Sequence, residues 1–428
     1  MVLNVVSAIR KNEKLFGMTV SHLDLLGHGV VPVKCKQDHR TFFPSFPRTL
    51  PGERVTLAVS NVQVTLPPGR RKPIREYQFD MIPSLSPSPD EVPVACDAWK
   101  RGCTGCQFLN LSAQGQLKEK HFWASEKMRK FGKIPPIPGI SSPRNFARLK
   151  FGSMMNLKHG MKTNSCENLE ISLSAAAHEA LAALSVLPAF DDRRGTGFVK
   201  ELVLRSVGDE VLLGVITVPG HPVLTQQLAV IAESLAGDSK WIRGVSIAVS
   251  GGDDDELNTC NDVSFDSFFG LESLSCNGIS LKLSTEAFTS VSTLFSVCEK
   301  LKNLEKCLVV NAGKNSFIRQ LLTDSVYLNH CTENSPSTTA QIFADLLSEV
   351  DISVDCSSVL VMGDFSEKLR NWVVENSRFN QIIFVTEDID KVVHNAEKLK
   401  RNFTASSLDF FDAERHCMRS VVVAIFTR

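Results

Sequence analysis

The feature that most constrains the fold is a series of short apolar runs in the last third of the chain, separated by stretches with helical periodicity. The runs are KCLVVNA (306–312), SVYLNHC (325–331), SSVLVMGD (357–364), QIIFVTED (381–388) and RSVVVAIF (419–426). Strands that are apolar along their whole length are buried on both faces, which is typical of a mostly parallel sheet covered by helices on both sides. The sequence therefore predicts a doubly wound α/β domain, a fold that often binds a nucleotide-like ligand.

The rest of the chain divides into two further regions. Residues 17–60 alternate short apolar runs with Gly and Pro, which predicts a small antiparallel β-barrel, and the Pro-rich residues 61–95 predict a linker. From 144 to about 284, strand-like segments alternate with two helical stretches, which is typical of an α+β domain. A chain of 428 residues usually holds about three domains. We predict an N-terminal barrel, a middle α+β domain with clustered cysteines and a C-terminal α/β domain, at residues 1–75, 76–284 and 285–428.

The formal net charge of zero conceals an asymmetry between the two parts of the chain. Residues 1–150 carry 23 basic and 11 acidic side chains, a net of +12, and residues 151–428 carry a net of −12. The densest basic stretch, 118–133, is interleaved with aromatic residues, a combination that suits nucleic acid because cations bind phosphates and rings stack on bases. The alternative is the solvated face of an amphipathic helix. The residues predicted to contact RNA are Lys118, Lys120, Lys127, Arg129 and Lys130.

Three of the 12 cysteines are clustered, in ACDAWKRGCTGCQF. Clustered cysteines in a chain with no secretion signal favour metal or redox chemistry over disulfides. Cys103 and Cys106 form a C-x-x-C pair, six residues separate Cys96 from this pair, and Cys166 is the best candidate for a fourth ligand. Four cysteines fit either zinc or an iron–sulfur cluster, and a pair of buried free thiols is the other interpretation.

Several segments together resemble the RNA 5-methyluridine methyltransferases. HLDLLGHGVVPV (22–33) followed by LPGERV (50–55) resembles the TRAM domain, a small OB-like RNA-binding barrel, and residues 86–120 resemble the cysteine motif of these enzymes, with Thr104 in place of a glycine. RNFARLKFG (144–152) resembles the strand that follows the motif. The resemblance implies a Rossmann-like methyltransferase domain at the C-terminus and a [4Fe–4S] cluster held by Cys96, Cys103, Cys106 and Cys166, with zinc as the alternative.

The catalytic positions of the family are changed in this chain. The family uses a cysteine thiolate that adds to C6 of uracil, and a base that removes the proton from C5. In IIFVTED, Glu387 stands at the position of that cysteine. LDFFDAERHCM aligns with the segment of the base and retains His416, but Met418 falls on the position of the catalytic glutamate. A carboxylate at position 387 cannot replace the thiolate that adds to C6, and the thioether of Met418 cannot accept the proton from C5.

The cofactor positions are changed as well. The resemblance implies S-adenosylmethionine as the methyl donor, bound by a glycine-rich loop, of which only Gly313 remains in LVVNAGKNSF (308–317). Glu333 is the candidate for the acidic residue after the next strand, and MGDFSEKL (362–369) lacks both prolines of the family motif. These changes argue against S-adenosylmethionine binding.

We therefore expect an RNA-binding, catalytically inactive member of the family that acts in rRNA or tRNA maturation or in ribosome assembly, with structured RNA and ribosomal precursor proteins as partners. The alternative is an active S-adenosylmethionine-dependent uracil-C5 methyltransferase in which Cys417 or Cys307 is the nucleophile. A third possibility, a structural subunit, is compatible with the first. No run of 18 apolar residues and no secretion signal are found, so we expect no membrane span and an intracellular protein in the cytoplasm, mitochondrion or plastid.

Overall fold

A computed structural model describes most of the chain, in two compact units. The units are residues 1–122 together with 416–418, and residues 123–415 together with 419–428. The described residues are 2–37, 39–65, 74–100, 106–139, 143–151, 168–191, 193–250, 265, 267–283, 291–304, 307–310, 316–322, 325–328, 356–362, 365, 367–413, 416 and 420–428. Among them, no helix is both long enough and apolar enough to cross a membrane.

The first unit is built mainly from strands. In chain order they are β1 (Asn4–Val6), β2 (Lys14–Thr19), β3 (His22–Leu23), β4 (Gly29–Val30), β5 (Val33–Cys35), β6 (Arg40–Phe42), β7 (Ser45–Phe46), β8 (Arg54–Thr65) and β9 (Ile74–Ser86). Helix α1 (Asp97–Lys100) follows, and the division between the units falls within helix α2 (Ala113–Met128), after Phe122.

Three three-stranded sheets make up this β region, in the orders β1-β5-β6, β2-β8-β9 and β3-β4-β7. Short strands separated by turns were predicted for residues 17–60, and strands are found there. The predicted linker at 61–95 is wrong over most of its length, because β8 and β9 form a long antiparallel hairpin there. Val62, Tyr77, Phe79 and Met81 pack against the core of the unit, and this burial stabilises strands that the prolines around them obscured.

The second unit contains the remaining elements. The strands are β10 (Phe146–Lys150), β11 (Val199–Val207), β12 (Glu210–Thr217), β13 (Ile242–Val249), β14 (Ser267–Gly270), β15 (Leu274–Cys276), β16 (Ile279–Leu281), β17 (Cys307–Val310), β18 (Val326–Leu328), β19 (Ser358–Met362), β20 (Gln381–Thr386), β21 (Thr404–Asp412) and β22 (Ser420–Thr427). The helices are α3 (Ile171–Leu184), α4 (Pro222–Asp238), α5 (Val291–Leu301), α6 (Phe317–Leu321), α7 (Glu367–Glu375) and α8 (Ile389–Leu399).

A five-stranded mixed sheet, β10-β11-β12-β13-β14, forms the middle of the chain, with a parallel pair only at β12 and β13. Small and apolar residues of α3, such as Leu173 and Ala177, share a core with strand residues such as Leu202 and Leu213. Helices on an antiparallel-rich sheet are the α+β arrangement that the sequence predicted for this region.

The last part of the chain is a six-stranded sheet in the order β18-β17-β19-β20-β22-β21. β18, β17, β19 and β20 are parallel, whereas β22 is antiparallel to both of its neighbours. A connection of seven residues joins β21 to β22, and so short a connection permits only antiparallel pairing. The doubly wound sheet is thus as predicted. The three domain boundaries stay a prediction, since the two compact units are divided elsewhere.

Candidate functional site

The carboxyl edge of the parallel strands is the place where this fold can bind a nucleotide-like ligand. β17 ends at Val310, which pairs with Val361, and Met362 at the end of β19 pairs with Val385 near the end of β20. The chain passes from β17 to β18 on one side and later to β19 on the other, so the strand order reverses beside β17. Ligands of doubly wound sheets bind in the crevice at such a reversal.

β17 ends at this reversal. Residues 311–315, which include Gly313, are outside the described residues, and so is Glu333. The described chain resumes at Ser316, which is buried. Its hydroxyl oxygen accepts a hydrogen bond from the Ile318 amide and so caps α6, and the hydroxyl donates to Met362 Sδ at 3.7 Å. A short helix therefore begins immediately beside the end of β19.

Glu387, at the family's nucleophile position, lies directly after β20 and is exposed. The next residue, Asp388, is the N-cap of α8, where its carboxylate accepts hydrogen bonds from the amides of Asp390 and Lys391. The Asp388 amide donates to Thr386 Oγ1 at 3.0 Å. The structure therefore places Glu387 at the carboxyl edge of the sheet, where the resemblance implies a nucleophile, in a turn that supplies carboxylates.

The described cysteines of this region are poor nucleophiles. Burial raises the pKa of Cys307 to about 11, and burial likewise raises the pKa of Cys298 to about 11, so both remain thiols at neutral pH. Cys307 is fully buried and begins β17, which places it at the edge of the sheet opposite to Glu387. The alternative in which Cys307 attacks uracil is therefore contradicted by its position. Cys417 lies outside the described residues, as does Met418.

Two of the four predicted metal ligands are described, Cys96 and Cys106, and both are half-buried. Cys103 and Cys166 lie outside the described residues. The indole of Trp99, in the helix that follows Cys96, donates a hydrogen bond to the Cys106 carbonyl at 2.9 Å. This bond links the helix that follows Cys96 to the backbone of Cys106.

Arg48 contacts both the ring and the backbone of Trp99. Its guanidinium stacks on the Trp99 ring at 4.3 Å and donates to the Trp99 carbonyl at 2.6 Å. Cysteine thiolates bind zinc as well as iron–sulfur clusters, so the donor type of Cys96 and Cys106 does not distinguish the two. Within the described part of the chain, no group of three metal-binding side chains is found. These contacts of Trp99 and Arg48 were not predicted from the sequence, although a tryptophan between Cys96 and Cys103 could have indicated them.

The five basic residues predicted to contact RNA have different environments. Lys118 and Arg129 are exposed and lie near acidic residues at 3.7 and 3.8 Å. Lys127 pairs with Asp390 at 2.6 Å and Lys130 with Glu397 at 3.1 Å, both acids belonging to α8. Lys120 is only 1% exposed, and its ammonium lies 5.9 Å from the centre of the Phe108 ring. In this conformation Lys120 cannot reach a phosphate.

Comparison with known proteins finds similarity to RNA methyltransferases. No family model matches the chain. The chain is 25% identical over 227 residues to an uncharacterised RNA methyltransferase of Halalkalibacterium halodurans, a match that covers 48% of this chain and 45% of that protein. The match therefore spans less than half the length of the curated relative.

The fold is that of a solved tRNA methyltransferase. The structure of the Pyrococcus abyssi tRNA (uracil-54, C5)-methyltransferase, determined in complex with S-adenosyl-L-homocysteine, matches this chain with a TM-score of 0.63 at 16% identity. The match covers 96% of this chain and 99% of that chain. The protein is thus similar in sequence to an RNA methyltransferase and has the multidomain fold of another.

Proposed function

We propose that this chain is an RNA-binding member of the RNA 5-methyluridine methyltransferase family that no longer transfers methyl groups. The observation that carries the proposal is Glu387, an exposed carboxylate at the end of β20 where the reaction needs a thiolate. Methylation at C5 requires a nucleophile that adds to C6 of the ring, and a thiolate is suited to that conjugate addition. A carboxylate is a much weaker nucleophile toward a pyrimidine ring, so the first step of the reaction fails.

The other steps are affected too. Met418 cannot accept the C5 proton in place of a glutamate, and the loop 311–315 retains a single glycine of the motif that binds S-adenosylmethionine. Cys307 offers no substitute thiolate, because it is buried and its pKa is raised. We propose that binding, not catalysis, is the function, and that the ligand is structured RNA such as rRNA or tRNA in maturation or ribosome assembly, together with ribosomal precursor proteins in an intracellular compartment.

We propose an RNA surface that includes the exposed cations of α2 and the turn after it. Lys118, Arg129 and Lys130 are each more than two-thirds exposed, at 72%, 70% and 68%. Lys127 and Lys130 can exchange their carboxylate partners for phosphates, since exposed ion pairs are weak. Lys120 is left out because it is buried. Cys96, Cys103, Cys106 and Cys166 are proposed to hold a [4Fe–4S] cluster, with zinc as the alternative; the bound group would tie the loop together.

A second candidate function is active uracil-C5 methylation. The observation that favours it is the near-complete coverage of the match to a methyltransferase bound to S-adenosyl-L-homocysteine. It requires Cys417 as the nucleophile, since Cys307 is excluded.

The test is an assay of binding and chemistry on the same preparation. The full chain is incubated with rRNA and tRNA transcripts and S-adenosylmethionine labelled in its methyl group, and RNA binding is measured in parallel by filter retention. We expect retention of RNA without formation of labelled 5-methyluridine. Transcripts that contain 5-fluorouridine extend the test, because the fluorine at C5 cannot be removed as a proton and a nucleophilic enzyme stays covalently attached. A covalent adduct lost in C417S would establish the second candidate instead.

A further inference from the structure

The connection between β21 and β22 contains a residue in an unusual backbone conformation. His416 has a φ of +63°, in the left-handed region that non-glycine residues rarely adopt, and it is only 7% exposed. It belongs to the first compact unit, together with the cysteine segment (residues 96–106) and the first part of α2. A strained and buried position needs other contacts that over-determine it.

Gln116, on α2, supplies those contacts with its carboxamide group. Its oxygen accepts a hydrogen bond from the His416 amide at 3.2 Å, and its nitrogen lies 2.8 Å from His416 Nδ1 and donates to the Leu111 carbonyl at 2.7 Å. A backbone amide can only donate and a carbonyl can only accept, so these two groups fix which end of the carboxamide faces which partner. Nδ1 of His416 must then be an acceptor, which leaves the proton of the neutral ring on Nε2.

The backbone immediately after Cys106 binds the carbonyl group of His416. The His416 carbonyl accepts hydrogen bonds from the amides of Gln107 at 2.9 Å and of Phe108 at 3.4 Å. The backbone N–H, the carbonyl and the ring of His416 are thus each bound by residues 107–116. Buried polar groups that are all satisfied give a single, well-defined arrangement.

We propose that Gln116 is a positioning residue that fixes His416, the residue that precedes Cys417 and Met418 in the sequence, against the backbone of Gln107 and Phe108. Cys417 and Met418 are the two residues of the connection for which the sequence raised a catalytic role. The inference goes beyond the proposed function, because it holds whether or not the chain transfers methyl groups. It assigns residues 107–116 the task of holding His416 in its left-handed conformation.

The test compares two identical substitutions in the full chain. Gln116→Met keeps the length and packing of the side chain but removes its hydrogen bonds, whereas Gln107→Met leaves the backbone amide that binds His416 in place. We expect hydrogen exchange at the His416 amide to become roughly ten- to a hundredfold faster in Q116M, the effect of two lost hydrogen bonds, and to stay unchanged in Q107M. Equal exchange in Q116M and the unsubstituted chain, or equal acceleration in both variants, would overturn the proposal.

A spectroscopic measurement covers the case in which Q116M fails to fold. Nitrogen-15 chemical shifts of the histidine rings in the unsubstituted chain distinguish a protonated ring nitrogen from a bare one. We expect His416 to carry its proton on Nε2, with Nδ1 showing the shift of a hydrogen-bond acceptor. A proton found on Nδ1 would leave this nitrogen unable to accept the hydrogen bond from the Gln116 carboxamide, and would contradict the role of Gln116.

Discussion

At the scale of residues, α2 shows why a polar sequence can conceal a buried surface. Gln116, Glu119 and Lys120 are spaced i, i+3 and i+4, so they lie on one face of the helix, and all three are buried. Polar and charged residues are expected to be exposed to solvent, and this is why Lys120 was predicted to contact RNA. The position of Glu387 could be predicted, by contrast, because the end of an apolar strand is evident in the sequence. What the sequence could not show is which polar groups find partners inside.

Glu119 gives a test at this scale. Its carboxylate is buried and accepts a hydrogen bond from the Leu23 amide at 3.0 Å, and burial raises its pKa above the ordinary 4.5. An acid whose pKa is raised by folding favours the folded state only while it is protonated, so its ionisation reduces stability as the pH rises above 4.5. We expect Glu119→Gln, which keeps an acceptor for Leu23, to be as stable as the unsubstituted chain near pH 4 and more stable at pH 7.

The measurement is the free energy of unfolding in urea at both pH values. Glu126→Gln is the matched control, because Glu126 lies on the same helix and is exposed. Equal effects of the two substitutions at pH 7 would contradict the assignment.

At the scale of elements, the sheet of the last part of the chain was predictable and the β8–β9 hairpin was not. Runs such as IIFV (382–385) are apolar at every position, so they predict a buried strand whatever surrounds them. The hairpin alternates apolar and polar residues between prolines and was interpreted as a linker; only its packing on the core shows that it is a strand pair. The pairing of the basic stretch of α2 with two acids of α8 could not be predicted, because Lys127 and Asp390 are 263 positions apart in the sequence.

That pairing predicts a gain in RNA binding when the acids of α8 are removed. The Lys130 ammonium donates to Glu397 and lowers the pKa of that carboxyl, which shows how directly the two charges compensate. Asp390→Asn with Glu397→Gln should release two cations, strengthen RNA binding severalfold at low salt, and steepen the dependence of log K on log salt by up to about 1.4–1.8. Filter retention between 50 and 200 mM salt measures this. Lys127→Ala with Lys130→Ala should change the slope in the opposite direction, and an unchanged slope in both variants would remove these lysines from the proposed surface.

At the scale of the whole molecule, the cysteine segment is where the resemblance and the chemistry can be checked together. Loss of one ligand from a four-thiolate site leaves its loop untied, so the folded state loses the free energy of metal binding. We expect the purified chain to contain iron and to absorb visible light, and Cys103→Ser to lose the iron and melt at least about 5 °C lower. Cys276→Ser is the matched control, because Cys276 lies in β15 and not in the cysteine segment. Stoichiometric zinc without iron would contradict the cluster and leave the zinc alternative.

The packing of His416 with Gln116 also has a consequence for the order of events during synthesis. The two residues are 300 positions apart, so helix α2 emerges from the translating ribosome long before its partner exists. Until then the Gln116 carboxamide and the amides after Cys106 must be solvated or occupied by something else, because a buried polar group without a partner is costly. The N-terminal unit, although it is translated first, can therefore complete its interior only among the last events of folding.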